Sequence, residues 1–246
     1  MVDCFSSINA DFELSSNAFQ SLNDAGFAVI PSLIDPDRLA HLSAAYDLAF
    51  AAASFDDLHL GTTSARLNDF VDRGPEFDEL YIYEPLLKAC CHIIDQPFKL
   101  SSMLGRTVYP YAPAQGLHID FKPDEEIFPL VSFIWMIDEF TNDNGATQFL
   151  PGSHNWSEIP HELTDDQLLA EHKNQIVTAC GQPGSLIIFC GSVLHGHSAN
   201  STAAPRRSIQ GAFIPRTAKA ATEFSTRGDS GTLARISSLA TYILAI

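Results

Sequence analysis

The spacing of apolar positions changes part-way along the chain, near residue 99. Before that point most of the pattern is helical. "NAFQSLNDAG" (17–26) ends on a glycine, "FAVIPSLI" (27–34) is a short apolar, β-branched run, and "DPDRLAHLSAAYDLAFAAA" (35–53) opens with Asp35 at the N-cap and Pro36 at the first helical position. Leu39, Leu42 and Leu48 recur at near-helical spacing and are expected to form the core face of that helix. Residues 54–74 carry acidic residues, "GTTS" and few periodic apolar positions, and read as a long loop; "YEPLLKACCHIID" (83–95) reads as another helix.

From Lys99 onward the chain breaks into short apolar or alternating runs separated by Pro, Gly, Asn and Asp: "MLGRTVYPY", "LVSFIWMIDEF", "ATQFLP", "SLIIFCGSVL" and "RSIQGAFIP". Runs of this kind predict an antiparallel β sandwich or small barrel. "HELTDDQLLAEHKNQ" (161–175) reads as a helical insertion and "SGTLARISSLATYILAI" (230–246) as a closing helix or strand. No repeat or linker divides the chain. The expected architecture is therefore one domain over residues 1–246, with a helical part to about 98, a β core over about 99–216 and a C-terminal segment over 217–246.

With 246 residues and 46% hydrophobic content, the chain can bury a substantial core. Against 14 Lys+Arg stand 30 Asp+Glu, a net charge of −16, which opposes nucleic acid and anionic lipid as partners. The basic residues Arg66, Arg73, Lys88, Lys99, Arg106 and Lys122 are scattered and read as surface groups. No apolar run approaches the roughly 20 residues of a membrane span, and the first residues do not read as a secretion signal, so a cytoplasmic location is expected. The five cysteines match no zinc or redox spacing and are expected to be reduced and mostly buried.

The candidate chemistry begins with "GLHIDF" (116–121). On a strand, residues two apart share a face, so His118 and Asp120 project together while Leu117, Ile119 and Phe121 go to the other side. Alone, the pair is no more than alternation at a sheet surface. In "SLIIFCGSVLHGHSANSTAAPRRS", an apolar strand runs into His195 and His197 and, after a polar loop, into Arg206 and Arg207. Two histidines and a carboxylate on one side of a metal, with other positions open, form the ligand set of non-haem Fe(II) oxygenases. Period-2 alternation places Arg206 and Ser208 inward, where a guanidinium can pair with an acid cosubstrate, and Arg207 outward or at the rim.

Four ordered stretches, "HID" (118–120), "DNGATQFLPGSH" (143–154), "HGHSAN" (195–200) and "RRS" (206–208), together with "NDAGFAVIPSLIDPDRLAHL", resemble the phytanoyl-CoA dioxygenase-like branch of Fe(II)/2-oxoglutarate-dependent oxygenases. The likeness runs from about residue 20 to 215. It implies a double-stranded β-helix, jelly-roll core with flanking helices. It also implies Fe(II), 2-oxoglutarate and O2 as cofactor and cosubstrates, and oxidation, chiefly hydroxylation, of a C–H bond in a small molecule. By this resemblance His118, Asp120 and His195 bind iron, and Arg206, helped by Ser208, pairs with the distal carboxylate of 2-oxoglutarate. Thr147 and Gln115 match cosubstrate-contacting positions in members acting on fungal alkaloids and terpenoids, and Trp135 matches an aromatic position near the cosubstrate or is a core residue.

His197 stands where the family usually has a small residue, so either histidine could be the distal ligand. The Asn200 spacing and the strand ending at Leu194 favour His195. His154 is expected to pack a turn. Sparse basic residues argue for a neutral or mainly apolar substrate, such as a terpenoid or alkaloid scaffold. Residues 54–80 and 155–175 are candidate lids, and each is equally available as a surface excursion or homodimer contact. Two other readings stay open: a metal- and small-molecule-binding β-barrel protein without turnover, and a zinc hydrolase using the same ligands.

Overall fold

A computed structural model describes residues 4–32, 34–121, 127–163, 166–227 and 230–246. Lys122 lies outside them. Ten strands are present among the described residues: β1 (Phe27–Ile30), β2 (Leu58–Leu60), β3 (Ser64–Leu67), β4 (Phe98–Val108), β5 (Val131–Met136), β6 (Thr147–Phe149), β7 (Val177–Thr178), β8 (Leu186–Cys190), β9 (His195–His197) and β10 (Arg206–Pro215). Seven form one sheet in the order β1-β8-β5-β10-β4-β3-β2, and β7-β6-β9 form a second. Every pairing in both sheets is antiparallel.

The helices are α1 (Cys4–Asp11), α2 (Ser16–Ala25), α3 (Pro36–Ala51), α4 (Glu84–Ile94), α5 (Asp166–His172), α6 (Phe224–Arg227), α7 (Ser230–Arg235) and α8 (Ser238–Leu244). Their ends follow local chemistry. Ser15 caps α2 by accepting from the Ala18 amide, and Gly26 closes it in the left-handed conformation. Asp35 caps α3 by accepting from the Arg38 amide at 2.9 Å, with Pro36 just inside. The strand that begins at Phe27 stops at Ile30, because Pro31 has no amide hydrogen to continue the ladder.

Alternation along the large sheet separates two cores. Phe133 and Trp135 of β5, Ile188 of β8 and Ile209 and Phe213 of β10 pack with Leu86, Leu87 and Cys90 of α4 and Ile243 of α8. The opposite face carries Ile134, Met136, Ile187 and Phe189, which meet Phe149 of the small sheet; Phe27 stacks on Phe149 at 4.2 Å between ring centres. A third cluster joins Leu117, Ile119 and Phe121 to Leu150, Leu163, Leu194 and Ile214. The fold is thus two facing sheets with helices backing the larger one, and residues 230–246 supply helices.

Several expectations change. Residues 54–74 do not form a loop: they contain β2 and β3, which extend the large sheet, and short 3-10 turns. Leu67, Phe70, Val71 and Phe77 are buried in the main core, which removes residues 54–80 as a candidate lid. In α3 the inward face is Leu42, Tyr46 and Ala49, Leu39 is half-buried, and Leu48 is 68% exposed. Leucine spacing alone misplaced that face because Tyr46 and Ala49 also contribute to the buried stripe. The start of the expected 161–175 helix is extended instead. The Leu163 amide donates to the Leu117 carbonyl at 2.8 Å and the Ile119 amide to that of His161 at 3.0 Å, so these residues flank the His118 segment. All five cysteines are free; Cys90, Cys91 and Cys190 are buried and Cys180 is exposed.

The α3 correction can be measured. Leu42→Ala is expected to lower unfolding free energy by about 2–5 kcal/mol and Leu48→Ala by about 0.5 kcal/mol or less, read from urea denaturation midpoints at constant m-value.

Candidate active site

His118 and His195, far apart in sequence, are joined through their backbones. Each amide donates to the other's carbonyl at 2.9 Å, an antiparallel bridge that sets the two side chains on one face. The Asp120 amide donates to the Gly191 carbonyl at 2.8 Å and fixes the carboxylate beside them. One donor atom from each of His118, Asp120 and His195 lies within 4.8 Å of the other two, and His195 Nε2 is 3.5 Å from Asp120 Oδ1. Leu117 and Ile119 turn the other way into the apolar cluster, as period-2 alternation requires, whereas Phe121, in the same cluster, also borders the cavity onto which His118 and Asp120 face.

The chemistry of these donors fits a divalent metal. His118 Nδ1 lies 3.0 Å from the Gly116 carbonyl and His195 Nδ1 3.0 Å from that of Val193. A carbonyl only accepts, so both rings carry hydrogen on Nδ1 and direct an Nε2 lone pair inward. Burial and the neighbouring His195 lower the His118 pKa, which keeps that ring neutral. For His195, burial acts downward but the Asp120 carboxylate outweighs it and the pKa is raised; for Asp120, burial acts upward, and His195 and Ser132 outweigh it, so the carboxyl stays below its ordinary range. Ser132 Oγ donates to Asp120 Oδ2 at 2.5 Å.

His197 is differently engaged. Its Nδ1 donates to the Ser198 carbonyl at 2.9 Å and its Nε2 lies 3.2 Å from the Thr63 hydroxyl, so its remaining lone pair already has a donor. Burial, reinforced by Arg106 and Arg206, lowers its pKa to about 4. It is not in the metal-competent cluster. Between the two histidines only glycine fits: a Cβ on Gly196 would stand 2.8 Å from the carbonyl oxygens of both Gln115 and Gly116.

Arg206 is 1% exposed. Its Nε and Nη2 donate to the Gly145 carbonyl at 3.2 and 2.6 Å, its Nη1 to Ser208 Oγ at 3.0 Å, and its guanidinium lies 4.2 Å from the centre of the Phe140 ring. No acidic side chain among the described residues pairs with it. Burial, aided by the like charge of Arg106, pulls its pKa down to about 9. A desolvated guanidinium without a counter-ion is costly, and a carboxylate arriving from solution would relieve that cost. Gly145, the glycine of "NGAT", holds φ +80, a conformation that frees its carbonyl for this contact. Arg207 points outward and pairs with Asp138 and Asp47.

A cavity of about 860 Å³ opens onto this group and includes Gln115, Thr147 and Arg206 in its wall. Thr147 is buried and lies opposite His197 in the small sheet. Gln115 accepts from Arg106 Nη2 at 3.1 Å and places its amide nitrogen 3.5 Å from His118 Nε2. Ser208 is not in the wall; it stands behind Arg206 and orients it. Trp135 is a core residue, its indole donating to the Leu80 carbonyl at 3.1 Å and its ring packed edge-on against Tyr83. His154 packs the turn at Gly26, with Nε2 at 3.2 Å from the Asn23 carbonyl.

Three site residues were not anticipated. Arg106, read as a surface group, lines the cavity and donates to Ser64 Oγ at 3.2 Å as well as to Gln115. Ser132 orients Asp120, and its signal was a lone hydroxyl in the apolar run "LVSFIWM". Ser153 accepts from the Leu194 amide at 2.8 Å; the strand expected to end at Leu194 ends at Cys190, and this contact holds the turn that leads into β9 and His195. Asn200, whose spacing from His195 was already read in the sequence, closes the turn toward Arg206, donating to the Tyr109 and Ala204 carbonyls.

The family model for Phytanoyl-CoA dioxygenase (PhyH) matches residues 22–208. The chain belongs to this family. Among its relatives, Dioxygenase trt7 of Aspergillus terreus is 30% identical over 230 residues, covering 80% of this chain and 72% of that protein. Multifunctional dioxygenase prhA of Penicillium brasilianum is 28% identical over 210 residues, covering 77% and 68%. Among solved structures, iron-bound EctD from S. alaskensis superposes with a TM-score of 0.70 at 20% identity, covering 84% of this chain and 78% of that one. The non-heme alpha ketoglutarate dependent carbocyclase SnoK does so with 0.70 at 16% identity, covering 92% of each. The PhyH-family chain thus has the jelly-roll core of the 2-oxoglutarate oxygenases, and it is an oxidoreductase that uses iron and 2-oxoglutarate. No helix among the described residues is long and apolar enough to cross a membrane.

Ser132→Ala is expected to weaken Fe(II) binding on the order of 10–100-fold with the fold retained, measured by anaerobic titration alongside far-UV circular dichroism.

Proposed function

We propose that the protein is an Fe(II)/2-oxoglutarate-dependent dioxygenase that hydroxylates a C–H bond of a small, mainly apolar molecule of the natural-product kind. The observation that carries this reading is the conjunction, in one cavity, of His118, Asp120 and His195 with the buried Arg206, which has no acidic side-chain partner among the described residues. His118, Asp120 and His195 would hold the iron, and Arg206, held in place by Ser208 and the Gly145 carbonyl, would take the distal carboxylate of 2-oxoglutarate. Thr147 and Gln115 supply polar contacts on the same wall. With iron held there, O2 would be the oxidant: one of its oxygen atoms would be taken up as 2-oxoglutarate is converted to succinate and CO2, and the other would end in the hydroxylated product.

The chain's own contribution is positioning and exclusion of water. The fixed histidine tautomers and the Ser132 contact hold the donors without rearrangement on metal arrival. Phe189 packs against His195 at 4.7 Å between ring centres and shields that side from water. The substrate wall is apolar at Phe121, Phe128 and Ile214, which suits a hydrocarbon scaffold. Two structural neighbours carry natural-product names, SnoK from nogalamycin biosynthesis and HygX solved with 2-oxoglutarate and hygromycin B, in keeping with the natural-product part of this reading. A zinc hydrolase would leave Arg206 without a task.

Fe(II) plus 2-oxoglutarate, mixed anaerobically, is expected to give a visible metal-to-ligand charge-transfer band that His118→Ala abolishes. Turnover with zinc in the absence of oxygen would favour the hydrolase instead. Arg206→Ala is expected to raise the 2-oxoglutarate requirement by about 30-fold or more, the cost of removing one partner of a buried charge pair. Arg207→Ala, at a surface pair, should change it by less than about threefold; equal effects in titrations of that band would refute the assignment of faces.

A further inference from the structure

The protein carries a net charge of −16, yet its cavity is cationic. Of its 14 Lys and Arg residues, four line the cavity: Arg66, Arg106, Arg206 and Lys219. Of its 30 acidic residues, only Asp120 lies in the wall among the described residues. On the reading above, the metal dication, the Asp120 carboxylate, the 2-oxoglutarate dianion and Arg206 together sum to neutrality. Among the described residues, no acidic side chain in the wall offsets the other three cations, Arg66, Arg106 and Lys219. The surplus does not depend on which guanidinium takes which carboxylate of the cosubstrate.

Arg106 is the centre of that surplus. Its Nε and Nη2 are held by Ser64 and Gln115, while Nη1 makes no hydrogen bond to a described residue. Arg66, exposed to solvent, stands directly opposite it across β3 and β4, a like-charge pair in register. Burial, then Arg66, bring the Arg106 pKa down to about 10, so the group stays cationic at neutral pH. Lys219 is exposed and reaches the same cavity from the segment after β10. Beside this polar side lies the apolar one, where Phe121 and Phe128 pack edge to face. One cavity therefore offers a hydrocarbon surface and, next to it, cations with one open guanidinium nitrogen.

We infer that the substrate, within the reaction class proposed above, is an amphipathic acid: a mainly apolar scaffold bearing a carboxylate that pairs with Arg106 and Lys219. A single carboxylate matches the one unengaged nitrogen of Arg106 better than a phosphate, whose several oxygens demand more donors. Pairing the carboxylate at this point would fix which part of the apolar scaffold faces the metal donors, and so which C–H bond reacts.

The test uses enzyme loaded anaerobically with Fe(II) and 2-oxoglutarate, and the probes 1-pyrenebutyrate and its methyl ester, with binding followed by fluorescence anisotropy. The acid should bind about tenfold or more tightly than the ester, a difference of about 1.4 kcal/mol. Arg106→Gln and Lys219→Gln should each bring that ratio below about threefold, whereas Arg106→Lys, which keeps the charge, should preserve much of it. Equal binding of acid and ester, no binding of either, or a preference that survives both glutamine variants would overturn the inference. So would an Arg106→Gln variant that raises the 2-oxoglutarate requirement while leaving the acid preference intact, since that would give Arg106 to the cosubstrate. Failure of the underlying reaction class registers separately: the wild-type enzyme would then show no charge-transfer band with Fe(II) and 2-oxoglutarate, whatever the pyrene probes do.

Discussion

The reciprocal backbone bridge between His118 and His195 is the contact on which the site depends. Two peptide amides and two carbonyls satisfy each other, so the separation and facing of the two imidazoles are set by main-chain geometry rather than by flexible side chains. Neighbouring elements then hold that bridge. Ser153 ties down the turn before His195, the 161–163 segment runs along the other side of His118, and Gly196 allows the 115–116 backbone to approach within the space a methyl group would fill. Each contact leaves the inward histidine lone pairs untouched.

Around this bridge the dominant cost is electrostatic. Arg206 and Arg106 are both withdrawn from water inside a protein that is acidic overall; after burial, the charge of Arg106 lowers the pKa of Arg206, that of Arg66 lowers the pKa of Arg106, and Arg106 and Arg206 together lower that of His197. Hydrogen bonds to the Gly145 carbonyl, Ser208, Ser64 and Gln115 satisfy donors but supply no negative charge. Stability is therefore given up in the free protein at the place where anionic ligands arrive, a pattern expected of a site organised for binding before the ligand is present. Arg207 provides the contrast. One residue along the same strand, it faces Asp138 and Asp47 and serves as an ordinary outward ion pair.

The small sheet has a part beyond architecture. Its middle strand sets Thr147 opposite His197 and Phe149 opposite His195, so the chain stretch "NGATQF" lies against "HGH" residue by residue. The same stretch presents the Gly145 carbonyl to Arg206. The metal-competent histidines, the buried Arg206 and the cavity wall are thus linked by one short run of backbone pairing, and the family match covers all of it.

Much of this was legible in the chain by itself. Alternation put His118 and Asp120 on one face and separated Arg206 from Arg207, and capping residues marked α2 and α3, because these features depend only on neighbours in sequence. What the sequence could not decide were relations between segments with no local periodicity in common. The strands β2 and β3 are too short and polar to announce themselves and exist because β4 offers an edge to pair with. Leu48 looked inward by spacing but faces water, since burial is set by what packs against a helix. Arg106 was indistinguishable from a surface cation, as a residue's charge says nothing about the cavity that folding closes around it. His195 rather than His197 as the inward donor was favoured by pattern, but the reason is tertiary: Thr63, from a distant strand edge, occupies the lone pair of His197 and leaves that of His195 open.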